Sequence, residues 1–337
     1  MLSPKIGVVI VTYNAAQTVG PCVNSLLPCP DSRMRIVIVD NCSTDETRDV
    51  VMGLSEQNPQ IDLIRASGNI GFAGGVNLGL QQLLRDREIT HFWLLNPDCI
   101  VSGGTVSRLI QFLEAGKGAG LTGGRVAYVE PSDRIQTDGG TVNWKTGVTH
   151  NLHQNLSALR CPSPDPEQID FASGASLLVS RRFVQDVGLM DEGFFLYYEE
   201  SDWAMRRGTF PIEYCDGFTV EHHAGAAIGS AVPGRMPSPL SAYFLHRSRM
   251  RFLRIWGSGP SWRAKAFGIG KALQLALRGG FAPASEVLRG TFGLGPSKRT
   301  AALLPPEVQA ALKSDDYRTS TPSSSRKLPP SPSQTTR

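Results

Sequence analysis

The first hundred residues alternate two hydrophobic rhythms, and that alternation leaves few folds open. Four short apolar runs, "KIGVVIVTYN" (5–14), "RMRIVIVDNCS" (33–43), "IDLIRASGN" (61–69) and "THFWLLNPDC" (90–99), are β-branched or aromatic and bounded by turn formers. Each reads as a strand buried on both faces. Between them lie helix-like segments, "AAQTVGPCVNSLL" (15–27), "STDETRDVVMGLSEQ" (43–57) and "GGVNLGLQQLLRD" (74–86), the second opening with Ser/Thr and a nearby Glu of capping-box character. Strand–helix alternation of this kind predicts an α/β fold with a doubly wound, mostly parallel sheet.

A helix is expected over 103–115, a strand in "GAGLTGGRVAY" (118–128), and irregular structure or small hairpins through the polar stretch 130–170. Order resumes in "DFASGASLLVSRRFVQDVGLMDEGFFLYYEESDWAMRRG" (170–208) as strand, helix, loop and a helix beginning near the acidic cluster. From 241 to 300 the character changes to eleven Lys/Arg against one acidic residue, Glu286. The Ser/Thr/Pro-rich end has a disordered composition. These shifts divide the chain into 1–240, a basic helical extension 241–314, and a tail 315–337. The six cysteines form no metal-type pattern and fit reduced thiols. No apolar run reaches the roughly 20 residues of a spanning helix, and the opening residues lack a signal-peptide core. A cytoplasmic location is expected, with possible attachment to the inner face of the plasma membrane.

Polar residues stand where the strand pattern stops. Thr12-Tyr13-Asn14, Asp40-Asn41 and Asn96-Pro97-Asp98 fall at C-terminal ends of expected strands, the edge at which open α/β sheets place ligands. Asp40 suits a nucleobase or ribose, and equally the start of a loop or helix. "GNIGFAGGVNLG" (68–79) is a glycine-rich turn whose spacing is not that of a dinucleotide fingerprint, although its glycines allow close approach of the backbone to a ligand. A lone carboxylate such as Asp98 beside a diphosphate suits Mg²⁺ or Mn²⁺. In "FFLYYEESDW" the carboxylates of Glu199, Glu200 and Asp202 lie among aromatics that would raise a carboxyl pKa toward that of a general base. "VEHHAG" places His222 and His223 after a further strand-like run, and one of them could ligate a metal.

In order, "VVIVTYN", "IVIVDNCSTD", "GNIGFAGGVNLG", "LLNPD", "GASLLVSRRFVQDVGLMDEGFFLYYEESDW" and "HHAG" resemble the inverting glycosyltransferases of the GT-A fold, family 2, most closely the bacterial rhamnosyltransferase-like branch. The resemblance spans roughly residues 5–230. It implies that Thr12, Tyr13, Asn14 and Asp40 hold a uridine- or thymidine-type nucleotide, and that Asn69, Gly71, Phe72, Gly75 and Asn77 line the donor site. Asn96-Pro97-Asp98 stands at the family's D-x-D position, with Asp98 and His222 as the implied ligands of Mg²⁺ or Mn²⁺. The family's Glu-Asp pair falls at Glu199-Glu200, so Glu200 is the first choice of base, with Glu199 and Asp202 as the others. The implied partners are a dTDP- or UDP-sugar donor, dTDP-rhamnose first among them, and a glycan or polyprenyl-diphosphate-linked acceptor in polysaccharide assembly.

Cations interleaved with aromatics over 241–300 suit an anionic membrane surface or a solvated helical subdomain; no nucleic-acid recognition motif accompanies them. Two other functions fit part of the pattern: a glycoside hydrolase with paired carboxylates, and a nucleotide-sugar-binding homologue weakened by Asn96.

Overall fold

The computed structural model describes residues 4–27, 33–223, 236–258 and 261–313. Cys29 and the expected tail 315–337 lie outside the described residues. β1 (Ile6–Thr12), β2 (Met34–Asp40), β3 (Ile61–Arg65) and β4 (His91–Leu95) are the four strands read from the sequence, joined by α1 (Val19–Leu26), α2 (Thr47–Gln57) and α3 (Gly71–Leu83). A short β5 (Cys99–Val101) follows directly, then α4 (Thr105–Glu114), β6 (Leu121–Tyr128) and β7 (Ile135–Thr137). The polar stretch folds largely as a hairpin of β8 (Gly140–Asn143) and β9 (Val148–Asn151). β10 (Ser176–Ser180), α5 (Arg181–Val187), α6 (Glu199–Met205) and β11 (Ile212–His222) complete the α/β part.

Among the described residues the main sheet runs β3-β2-β1-β4-β10-β6-β11-β5, with β7 pairing the later part of β6, beyond the residues that β10 pairs. β1 is parallel to β2 and β4, and β11 to β6, whereas β10 opposes both of its neighbours. Strand β1 explains its own composition. Ile6, Val8 and Ile10 pack with α1, α2 and α4 on one face, while Val9 and Val11 pack with α3, α5 and α6 on the other. A strand covered on both sides needs apolar residues at every position, so it does not alternate.

Two local readings change. The expected capping box at 43–46 does not form: the cap residue Glu46 makes no side-chain cap bond, and Asp45 accepts from the Thr47 N–H instead. The glycine-rich turn also ends earlier than expected, because α3 already begins at Gly71. Gly75 and Gly79 therefore lie inside a helix, where a Cβ on Gly75 would come within 2.6 Å of Val11. They let α3 sit close on β1.

The extension opens with α7 (Pro239–Trp256), capped by the Ser238 hydroxyl, which accepts from the Ser241 N–H. Its Phe252 and Trp256 enter the same core as β1, β4 and α6. Arg249 and Arg251 are buried as well. Arg251 pairs with Asp191 at 2.9 Å and lies over the Phe194 ring, and Arg249 donates to the carbonyls of Thr146 and Ala264. Part of the basic character of 241–256 is thus internal. α8 (Trp262–Leu277) and α9 (Phe281–Phe292) pack on each other and α9 on α7, followed by α10 (Lys298–Ala301) and α11 (Pro306–Lys313). No helix among the described residues is long and apolar enough to cross a membrane.

Candidate active site

Register places the strand ends side by side: Thr12 is opposite Asp40, and Ile10 is opposite Leu95. Asp40 is buried and already well bonded, accepting from the hydroxyls of Thr12 (3.3 Å) and Ser43 and from the Ser43 N–H. Asn14, in a left-handed conformation (φ 51°), donates its N–H to the Ser43 hydroxyl and accepts from the Thr44 N–H at 2.8 Å. Together these bonds tie the β1 and β2 loops into one rim on which Asn14 is exposed and Tyr13 half-buried. Behind it the Asn41 amide donates to the Gly71 carbonyl at 2.8 Å, while its own Oδ1 is buried without a partner. Asn69 Oδ1 accepts from the Gly71 N–H, and the Phe72 N–H donates to the Phe195 carbonyl. Gly71 (φ 79°) is required there, because a Cβ would strike that same carbonyl.

Asn77 is directed elsewhere. Its side chain exchanges hydrogen bonds with Met190 and donates to Glu192 Oε1, fastening α3 to the loop before α6. Gly75 faces β1. Both therefore support the crevice from behind rather than line it.

The turn 96–99 closes with the Cys99 N–H donating to the Asn96 carbonyl. β5 then pairs antiparallel with β11, setting Cys99 opposite His222. Asp98 and His222, 124 positions apart in sequence, meet with Oδ1 and Nε2 at 3.0 Å, both buried. Asn96 Nδ2 lies 3.4 Å from the same ring nitrogen. On the other side, His222 Nδ1 is 2.8 Å from Gln136 Oε1, on β7. Gln136 Oε1 beside Nδ1 leaves Nε2 as the ring nitrogen that faces the Asp98 carboxylate, so the pair presents one oxygen and one imidazole nitrogen to a common point. One hard oxygen and one imidazole suit Mg²⁺ or Mn²⁺. The Cys99 thiol is the wrong partner for such an ion: burial holds its pKa well above the usual value, and it donates to the Ala175 carbonyl. A second group, Asp138, His153 and Cys161, has a different purpose. Asp138 receives two bonds from Arg125, one from Tyr214 and a contact with His153, which pins the 130–160 region to the sheet.

The antiparallel β10 brings its beginning to this edge. The Ala175 carbonyl accepts from the Asn96 N–H, and Gly174 lies against the Glu200 side chain, where a Cβ would be 3.8 Å away. Glu199 and Glu200 open α6 after two consecutive left-handed residues, Tyr197 (φ 67°) and Tyr198 (φ 71°). Such backbone costs about 1–3 kcal/mol per residue and persists only when held. Here the Tyr198 hydroxyl donates to the Gly147 carbonyl, and that of Tyr197 bonds Ser241, each at 2.7 Å.

The three candidate acids then separate. Asp202 accepts from Arg206 at 2.8 Å and from the Trp256 indole at 2.9 Å, so both of its oxygens are engaged inside the protein. Glu199 is buried with Oε2 unpartnered, and burial followed by the Glu200 charge pushes its pKa well above the carboxylate range. Glu200 is only half-buried, and desolvation pushes it up to about 7. It alone of the three is both reachable and poised for proton transfer at neutral pH. Gln136 was missed in the sequence, since it lies outside every quoted motif; Ser43 and Gly174 fall inside quoted runs but were not singled out as site residues.

Residues 7–188 match the model of glycosyl transferase family 2. The chain belongs to this family. A hexosyltransferase of low-salt glycan biosynthesis from Haloferax volcanii is 24% identical over 60% of this chain, which spans 61% of that enzyme's length. An N-acetylglucosaminyl-diphospho-decaprenol L-rhamnosyltransferase of Mycobacterium tuberculosis is 27% identical over 83% of this chain and 92% of its own. Among solved structures, a mannosyltransferase from Pyrobaculum calidifontis in complex with GDP-Man and Mn²⁺ superposes with TM-score 0.50 at 17% identity, covering 94% of this chain and 82% of that one. GalNAc-T7 with UDP, GalNAc and Mn²⁺ gives 0.57 at 15% identity, covering 92% and 58%. At such identities the structures speak for the fold, which is the mostly parallel GT-A arrangement with appended C-terminal helices.

Proposed function

We propose that this family 2 glycosyltransferase moves a sugar, rhamnose from dTDP-rhamnose, to a hydroxyl of a glycan or polyprenyl-diphosphate-linked acceptor in polysaccharide assembly. The observation that carries the reaction is the meeting, at one sheet edge, of the Asp98–His222 pair with a reachable carboxyl poised near neutrality, Glu200. The named activity of the mycobacterial relative supports the choice of sugar and acceptor.

In this reading the nucleotide rests on the Thr12–Asn14 rim, with Asp40 anchoring Ser43 beneath it and Asn69, Gly71 and Phe72 closing the far side. Asp98 and His222, with Asn96 alongside, would hold Mg²⁺ or Mn²⁺, which would supply positive charge to offset that on the departing diphosphate. Glu200 takes the proton of the acceptor hydroxyl, whose oxygen bonds to the anomeric carbon as the bond from that carbon to the diphosphate oxygen breaks. The electron pair leaves on the nucleoside diphosphate, and the anomeric configuration inverts. Glu199, whose pKa burial and the Glu200 charge push upward, is buried and stands behind the base rather than beside the acceptor.

Binding of dTDP-, UDP- and GDP-sugars with and without Mn²⁺, followed by turnover, tests this reading. Asp98→Ala should lose the metal-dependent part of donor binding, and Glu200→Gln should keep donor binding while turnover stops. Full turnover of Asp98→Ala, or of the wild type in excess chelator, removes the metal from the reaction. Unchanged turnover of Glu200→Gln moves the base elsewhere.

A further inference from the structure

We propose that the outward faces of α8 and α9 form a docking surface for an anionic lipid bilayer. α8 buries one stripe, Ala264, Gly268, Ala272 and Leu275, against the neighbouring helices. A helix with one buried face normally turns polar residues outward. Here the opposite stripe is apolar as well: Trp262, Ile269, Leu273 and Leu277, spaced for one helix face, are between 50% and 80% exposed. α9 repeats the pattern with exposed Phe281, Leu288 and Phe292. Leu277 and Phe281 stand on either side of the turn that joins the two helices. An apolar surface of this extent marks an interaction site.

Charge selects the occupant. Between 257 and 300 the sequence has seven Lys/Arg and a single acidic residue, Glu286. Glu286 is buried and accepts from the Ser297 N–H and the Thr300 hydroxyl, so its charge does not face outward. By helical period the exposed Arg263 and Lys265 flank the apolar stripe on its two sides, with exposed Arg278 at its end. A second copy of the chain would set cations against cations across an isologous interface. Nucleic acid would leave the apolar side chains unseated, and residues 314–337 contribute only Tyr317 and Leu328 as large apolar side chains. A bilayer with anionic headgroups answers both halves of the surface: apolar residues enter the acyl boundary and cations meet the headgroups. Trp262 with Arg263 over its ring at 5.3 Å fits that boundary. This inference rests on the surface alone and does not require the sugar-transfer reading.

Co-sedimentation of the full chain with vesicles of phosphatidylcholine, with or without phosphatidylglycerol, provides the test. The chain should partition onto the anionic vesicles about tenfold or more better than onto neutral ones, and less as salt rises. Leu273→Glu combined with Leu277→Glu should weaken partition by about tenfold or more at unchanged melting temperature, since both side chains are exposed. Lys265→Gln with Arg278→Gln should weaken it and flatten its salt dependence. Absence of binding to anionic vesicles, or equal binding by the double-Glu variant, overturns the proposal. So does a wild-type dimer that this variant dissolves while vesicle binding stays the same.

Discussion

A carboxyl group titrates near neutrality only when its charge is made costly, and for Glu200 the cost is burial. Its raised pKa gives two consequences of opposite sense. A base works ionised, so turnover should climb about tenfold per pH step below about 7 and level off above it. Glu200→Gln should abolish that limb together with turnover. Stability runs the other way: the folded state holds the proton more tightly, so this contribution is complete below the unfolded value of 4.5 and lost as pH rises through about 7. Urea unfolding at pH 8 should therefore show Glu200→Gln more stable than wild type, on the order of 1 kcal/mol, because partial solvent access discounts the full linkage. Gln136 gives a separate test. Removing the group that sits against His222 Nδ1, as in Gln136→Ala, should weaken Mn²⁺ binding roughly 10–100-fold by calorimetry. Asp98 and His222 were legible in the sequence because each follows a strand with a motif around it. Gln136 was not, since it lies in the polar stretch whose strand β7 shows no apolar rhythm. Among the three acids the sequence ranks Glu200 first from the motif alone; that Arg206 and Trp256 occupy both oxygens of Asp202 could not be read there, because Trp256 comes from 54 positions away.

Elements show the same division between pattern and context. β1 to β4 and the helices joining them could be read from periodicity alone, since strands covered on both faces and amphipathic helices leave different imprints. The glycines of α3 could not be assigned that way. Their spacing reads as a ligand loop, yet Gly75 and Gly79 set the distance between α3 and β1. Gly79→Val should consequently destabilise the fold by about 1–3 kcal/mol in urea titration, through overpacking against Val9. Gly104→Ala makes an instructive contrast. No neighbour lies within 4 Å there, so its cost arises from the left-handed backbone (φ 81°) and not from crowding.

At the scale of the whole molecule, α7 is what the change in composition near 240 conceals. The basic count reads as a separate surface, but Phe252 and Trp256 complete the core that also holds β1 and β4. Each such loss is worth about 3–5 kcal/mol, against a total stability of about 5–15 kcal/mol. A chain ending at 238 should lose cooperative thermal unfolding, measured by circular dichroism, while one ending at 257 should retain a transition. The reversed strand β10 has a longer reach. Residues 6–101 and 171–222 supply different halves of the crevice and meet along the seam between β4 and β10. The backbone ladder across that seam is reinforced by one buried side-chain bond, from the Trp93 indole to the Ser176 hydroxyl at 3.0 Å. Asp98 belongs to the first of these halves and His222 to the second, so a lineage that exchanged one half would have to bring a matching partner for the other.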